Sequence, residues 1–246
     1  MRRFDYGIQT GSECSQCFET PGAPLPEPSD SAFLEPGRSM DWYKGLSTAP
    51  TSRRRRLQRD KDFTGDRLTT FRQVFLRHGL PGLTLAVICF CLPGMLPIFG
   101  DSLARAAANV GSYAAVYGFI FLGLCAYAWR LDRRLSAPLM GWILYLGALS
   151  FWEEWVFRLA LPQALEGFGA SVWLAAFISA VLFGGLHYFT LRWKWQWCGA
   201  AAFGGLGLSQ QMEVHNDLLW ITAFHWIGTY INTPRLPGRS AQVTAN

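Results

Sequence analysis

The chain has 246 residues, half of them hydrophobic and only 16% charged, with 11 Trp, 18 Phe and a formal net charge of +5. A soluble domain carries about 25% charged residues, and this deficit excludes an ordinary soluble globule. The charges are also unevenly spread: residues 1–79 hold 13 Lys/Arg and 10 Asp/Glu, residues 80–246 only 9 and 7. The basic surplus sits beside apolar segments, where it meets anionic lipid and fixes orientation, so no nucleic-acid partner is expected.

Residues 1–65 carry six of the 13 prolines and the run Arg53, Arg54, Arg55 and Arg56. Such a stretch buries too little apolar surface to offset its ordering entropy and is expected to be a disordered cytoplasmic tail. It opens on MRRF followed by polar residues rather than an apolar run, so no secretory signal is expected. Its lone CxxC, Cys14 and Cys17, has no second pair and does not read as a metal knuckle. Over 66–80, Leu68, Phe71, Val74 and Phe75 share a face opposite Arg72 and Arg77, which predicts an amphipathic helix lying at the membrane interface.

Six apolar segments follow, at 81–100, 110–129, 138–161, 169–187, 193–209 and 217–233. Most approach the ~20 residues that cross ~30 Å of hydrocarbon at ~1.5 Å per residue. Cys89, Cys91 and Cys125 lie in these runs and read as small hydrophobes. Arg130, Arg133 and Arg134 follow the second segment, Arg192 and Lys194 border the fifth, and Arg235 and Arg239 follow the sixth. The intervening connections carry little positive charge, with no Lys or Arg at 159–191 or 195–234. This alternation puts both termini in the cytoplasm. The fold class predicted is an all-α polytopic membrane bundle of about six transmembrane helices. The membrane domain occupies 81–233, and a second cytoplasmic tail occupies 234–246.

Away from the ends of the six segments, the acidic residues are Glu153 and Glu154 and the basic one is Arg158. A charge at the bilayer centre costs at least ~2.5–3.5 kcal/mol, so such residues are paired or functional. Glu154 and Arg158, four apart on a helix, form an ion pair. Glu153 points about 100° away, has no local counter-charge, and is the candidate general base. A plain structural role for the pair leaves Glu153 unexplained. Two histidines also fall within segments, His187 and His225. If the third and fourth segments form a hairpin turning near 167–169, Glu153 and His187 differ in depth by ~6 Å and face each other.

The set Glu153-Glu154-Trp155-Val156-Phe157-Arg158, then Phe183-Gly184-Gly185-Leu186-His187, then His225 resembles the CAAX prenyl protease and bacteriocin-processing family (CPBP or Abi proteins). Its signature is EExxxR, FxxxH and HxxxN or HxxxD on separate transmembrane helices, and the resemblance covers 138–233. The third motif departs, because Thr229 stands where the family has Asn or Asp; Asn232 follows three residues later. The resemblance implies an intramembrane endopeptidase of the bacterial inner membrane acting on a membrane-associated peptide or protein. Carried over, Glu153 activates water with His187, His225 with Thr229 or Asn232 stabilises the oxyanion, and Arg158 holds Glu154. It also leaves a metal-dependent alternative, zinc held by Glu153, His187 and His225. No cofactor is the reading preferred, since no HExxH places two ligands on one helix.

Two other classes stay open on the residues alone. A small transporter also uses intramembrane charges, although no internal repeat is visible. An inactive immunity or scaffold protein with the same fold is favoured by the Thr229 departure.

Overall fold

A computed structural model describes residues 57–60 and 68–237 of the chain. The Arg53–Arg56 run, the Cys14 and Cys17 pair, most of the expected tail, and residues 238–246 lie outside them. Over 68–237 of the described residues, seven helices follow one another: α1 Phe71–Cys91, α2 Met95–Ala108, α3 Val110–Asp132, α4 over 137–167, α5 Val172–Thr190, α6 Trp195–His215 and α7 Leu218–Asn232. Among the described residues there is no β-strand, only an isolated bridge between Gln58 and Trp193. The all-α bundle matches the sequence expectation.

Local chemistry sets several ends. Thr70 caps α1 in a reciprocal box with Gln73, Ser171 accepts from Leu174 N, and Asp217 accepts from Trp220 N. Gly94, at φ 78, turns the chain between α1 and α2 after Pro93, a backbone that glycine adopts without strain. Here the segment boundaries expected from hydropathy shift. The interfacial helix drawn at 66–80 has no end at residue 80; Phe71–Cys91 is one 21-residue helix, and the run 81–100 is broken at 92–94. The reason is that Leu80-Pro81 is tolerated inside α1, whereas Pro93-Gly94 is not.

How α1 tolerates Pro81 is repeated in α4 at Pro162. A proline offers no N–H, and its ring excludes the carbonyl four residues back. In both helices the preceding turn widens to i→i+5 bonding, over Phe75–Gly79 and Trp155–Ala160. Leu80 N donates to Phe75 O and Leu161 N to Val156 O. The second wide turn releases Phe157 O from the helix ladder. That oxygen instead accepts from Ser179 Oγ of α5 and from Arg158 Nη1.

Two buried clusters surround these turns. One joins α3, the first half of α4 and α7 through Trp142, Ile143, Leu146, Trp226 and Tyr230. The other joins α1, α2, α4 and α5 around Trp155, whose Nε1 donates to Ala86 O at 3.1 Å. α5 and α6 form a close hairpin that depends on Gly184, where a Cβ would come within 2.5 Å of Cys198 O. By length and composition α1, α3 and α5 are apolar enough to cross a membrane. Outward side chains such as Phe119, Leu122, Trp173 and Phe203 are more than 60% exposed, the surface a lipid solvent requires rather than water.

One further expectation is corrected. Residues 57–60, inside the stretch expected to be disordered, pair with the α5–α6 connection, with Leu57 and Gln58 buried. Composition over a long window hides four residues whose backbone groups are paired by a neighbouring edge.

Candidate active site

α4 and α5 form the expected hairpin, turning through Gly169 at φ 92. It carries Glu153, Glu154 and Arg158 on one arm and His187 on the other, all buried. α7 brings His225 across. Glu154 is held from two sides, by Arg158 Nε at 3.3 Å and by His225 Nδ1 at 2.5 Å. Both side chains of the Glu154–Arg158 pair are wholly excluded from solvent, so each needs the other in a low-dielectric setting. The guanidinium also lies 4.5 Å from the Phe183 ring centroid and rests against Gly205 of α6, where a Cβ would sit 2.6 Å from Nη2.

Glu153 is not left without a partner, which corrects the sequence reading. His78 of α1 places Nε2 2.7 Å from Glu153 Oε1, and His225 Nε2 lies 3.7 Å from Oε2. The partner comes from 75 positions upstream (153 − 78), on a helix that spacing arguments had assigned to the interface. His78 sits in the widened turn of α1 and is 1% exposed. The signal available in the sequence was the shared order: a wide turn before Leu-Pro carries His78 in α1, and another carries Arg158 in α4.

The histidine tautomers follow from their neighbours. His187 Nδ1 donates to Phe183 O at 2.7 Å, because a carbonyl only accepts. The FxxxH spacing thus supplies the orienting acceptor one turn before the histidine. Thr190 Oγ1 gives its hydrogen to Leu186 O at 2.7 Å, so His78 Nδ1 donates to Thr190 Oγ1 at 2.8 Å. Both rings therefore turn Nε2 toward Glu153. The facing ligand atoms of His78, Glu153 and His187 all lie within 4.8 Å of one another. His225, one of the three ligands in the metal alternative read from sequence, is outside this set and engages Glu154 instead.

His78, Glu153, His187 and His225 line a cavity of about 380 Å³, and Thr229 and Asn232 line it too. Arg158 lies outside it and borders a second cavity of about 910 Å³, at the α5 start and α6 end. The first cavity falls within the size range of ligand sites and opens a space beside these polar groups among otherwise apolar helices.

Residues 135–231 match the family model described as Type II CAAX prenyl endopeptidase Rce1-like. No curated protein and no solved structure matches the chain. His78 lies outside the matched segment, while Glu153, Glu154, Arg158, His187, His225 and Thr229 lie inside it and Asn232 one residue past its end. Through this segment, well under half of the chain, it is similar to the Rce1-like CAAX prenyl endopeptidases, and with the membrane-length helices α1, α3 and α5 it reads as an integral membrane protein.

Proposed function

We propose that the protein is an intramembrane endopeptidase in which Glu153 and His187 activate one water for attack on a membrane-associated peptide. The observation that carries this reading is the enclosed group of Glu153, His187 and His225 on three helices around one cavity. Two hydrogen bonds of about 2.8 Å meeting at a water span roughly 4.6 Å, and the Glu153 and His187 atoms lie no more than 4.8 Å apart. His78 holds Oε1 of Glu153 and leaves Oε2 toward the cavity, where it takes the water proton. The attacked carbonyl becomes an oxyanion facing His225 Nε2, with Thr229 or Asn232 as a second donor. The Glu153 proton then passes to the leaving amine. Glu154 and Arg158 are positioning residues: Glu154 fixes His225 through Nδ1, and Arg158 balances its charge.

A second reading, a metal-assisted hydrolase, is favoured by one observation. His78 and His187 each engage Nδ1 with an oxygen and turn Nε2 to the same carboxylate, the outer bonding typical of a His₂Glu ligand set. His78, Glu153 and His187 would hold the ion, which would lower the pKa of its water.

Six helices are assigned to the membrane: α1 and α3 to α7. α2, with Asp101 and Arg105, lies along the outer interface, and both termini are cytoplasmic in a bacterial inner membrane. What supports this is the charge alternation, which survives the shifted boundary of α1.

The purified protein in detergent is to be tested on a quenched fluorescent peptide library. Cleavage is expected in wild type and none in Glu153→Gln at unchanged elution volume; equal cleavage by both overturns the assignment. Retention of activity after dialysis against a chelator separates the two mechanisms.

A further inference from the structure

The short connection between α5 and α6 lines the candidate catalytic cavity through Leu191 and Trp193. Between α5 and α6, Arg192 adopts φ 60, a left-handed conformation that L residues seldom occupy. Residues 57–60 lie antiparallel to this connection. Arg59 N donates to Arg192 O at 2.7 Å and Lys194 N to Leu57 O at 2.8 Å, with Gln58 opposite Trp193. The contact is fastened by Arg59 Nη1, which donates to Tyr188 O at 2.9 Å and Trp193 O at 2.7 Å. Its guanidinium lies 3.6 Å from the Tyr188 ring centroid.

Three observations tie this contact to the chemistry. Leu57 and Gln58 line the same cavity as Glu153, His187 and His225. The Trp193 ring stands 4.7 Å from the His187 ring, and Trp193 N donates to His187 O at 3.2 Å. The segment lies outside α1–α7 and is held by main-chain and Arg59 bonds to the α5–α6 connection and the end of α5. An endopeptidase has to hold its substrate extended, because a helical peptide bond keeps its carbonyl engaged. Adding a strand to a free edge supplies that alignment through main-chain bonds alone.

We propose that the 192–194 main chain is a peptide-docking edge of the active cavity, and that residues 57–60 occupy it as a built-in pseudosubstrate. The ligand class is an extended peptide whose backbone pairs with Arg192 and Lys194. An apolar and then an amide side chain enter the cavity, and a following cation rests on Tyr188. This rests on the protease reading of the site. Substrate binds by displacing residues 57–60, so the resting enzyme is self-restrained.

The test is binding, read without turnover. A fluorescein-labelled peptide of residues 55–62 is titrated by anisotropy into the full chain in detergent. A tethered competitor acts at an effective concentration near the millimolar range, so releasing it strengthens binding markedly. Arg59→Pro, which removes both the N–H given to Arg192 O and the side-chain ties, is expected to bind the peptide about tenfold or more tighter than wild type. A peptide N-methylated at the position of Arg59 is expected not to bind. In wild type, saturating peptide is expected to speed hydrogen exchange at 57–60, a readout that needs no variant. Equal affinity in wild type and Arg59→Pro, binding of the methylated peptide, or unchanged exchange overturns the docking edge. A chain that cleaves peptides with any of these results loses only the docking edge. One that binds as expected but cleaves no peptide loses only the protease reading.

Discussion

At the scale of single residues, the site is a relay of paired groups rather than a lone carboxylate in an apolar hole. Glu154 bridges Arg158 and His225, and Glu153 bridges His78 and the cavity. Each buried charge is therefore compensated, the condition for keeping ionised groups among apolar helices. His78 is the member that the family signature does not include, and its role is separable from folding. It orients Glu153 without touching the reacting atoms in the water-activation reading. Groups that orient a catalytic or ligating side chain typically contribute about 10–100-fold. His78→Gln is thus expected to lower kcat by that order with KM little changed, at unchanged elution volume. A change confined to KM would assign His78 to substrate binding instead.

At the scale of elements, two proline-induced wide turns place His78 and Arg158 in the buried polar group. In α4, the turn at Trp155–Ala160 lets Phe157 O leave the helix ladder and receive Ser179 Oγ, so α4 and α5 are pinned beside Glu153 and Glu154. Arg158 then projects toward α6, where Gly205 leaves room for its guanidinium. Arg158 cannot easily yield, because Glu154 holds its Nε and both side chains are fully buried. Gly205→Ala is therefore expected to destabilise by about 1–3 kcal/mol, the usual cost of overpacking a filled site. A thermal melt in detergent reads this as a lowered midpoint, and an unchanged midpoint contradicts the packing of Arg158 on α6.

At the scale of the molecule, the helices have an apolar exterior around an apolar core that encloses one buried polar site, whereas a soluble bundle has a polar exterior. The widened turn of α1 also aims His78 at Glu153, so α1 has to lie inside the bundle rather than flat on the membrane. That placement fixes a testable topology. Reporter fusions after residues 134, 165, 192, 214 and 240 are expected to read inside, outside, inside, outside, inside. A fusion at 165 that reads cytoplasmic breaks both the α4–α5 hairpin orientation and the proposed entry of peptide at the 192–194 edge from the cytoplasm.

The sequence by itself determined the membrane class, the helical fold and the family resemblance of residues 135–231. These depend on composition and on short-range spacing: the i, i+4 relation of Glu154 to Arg158, the FxxxH turn that lets Phe183 O orient His187, and the charge alternation between loops. It also made the Glu153–His187 pairing legible, because a hairpin converts residue counts into depth. What only the tertiary structure decided is which distant groups close the remaining bonds. His78 reaches Glu153 from 75 residues away through a turn that widens only because a proline follows, and His225 turns to Glu154 rather than into a ligand set. Residues 57–60 are ordered by an edge more than 130 residues downstream (192 − 59 = 133). No local propensity encodes such pairings, since their stability comes from partners brought together by packing.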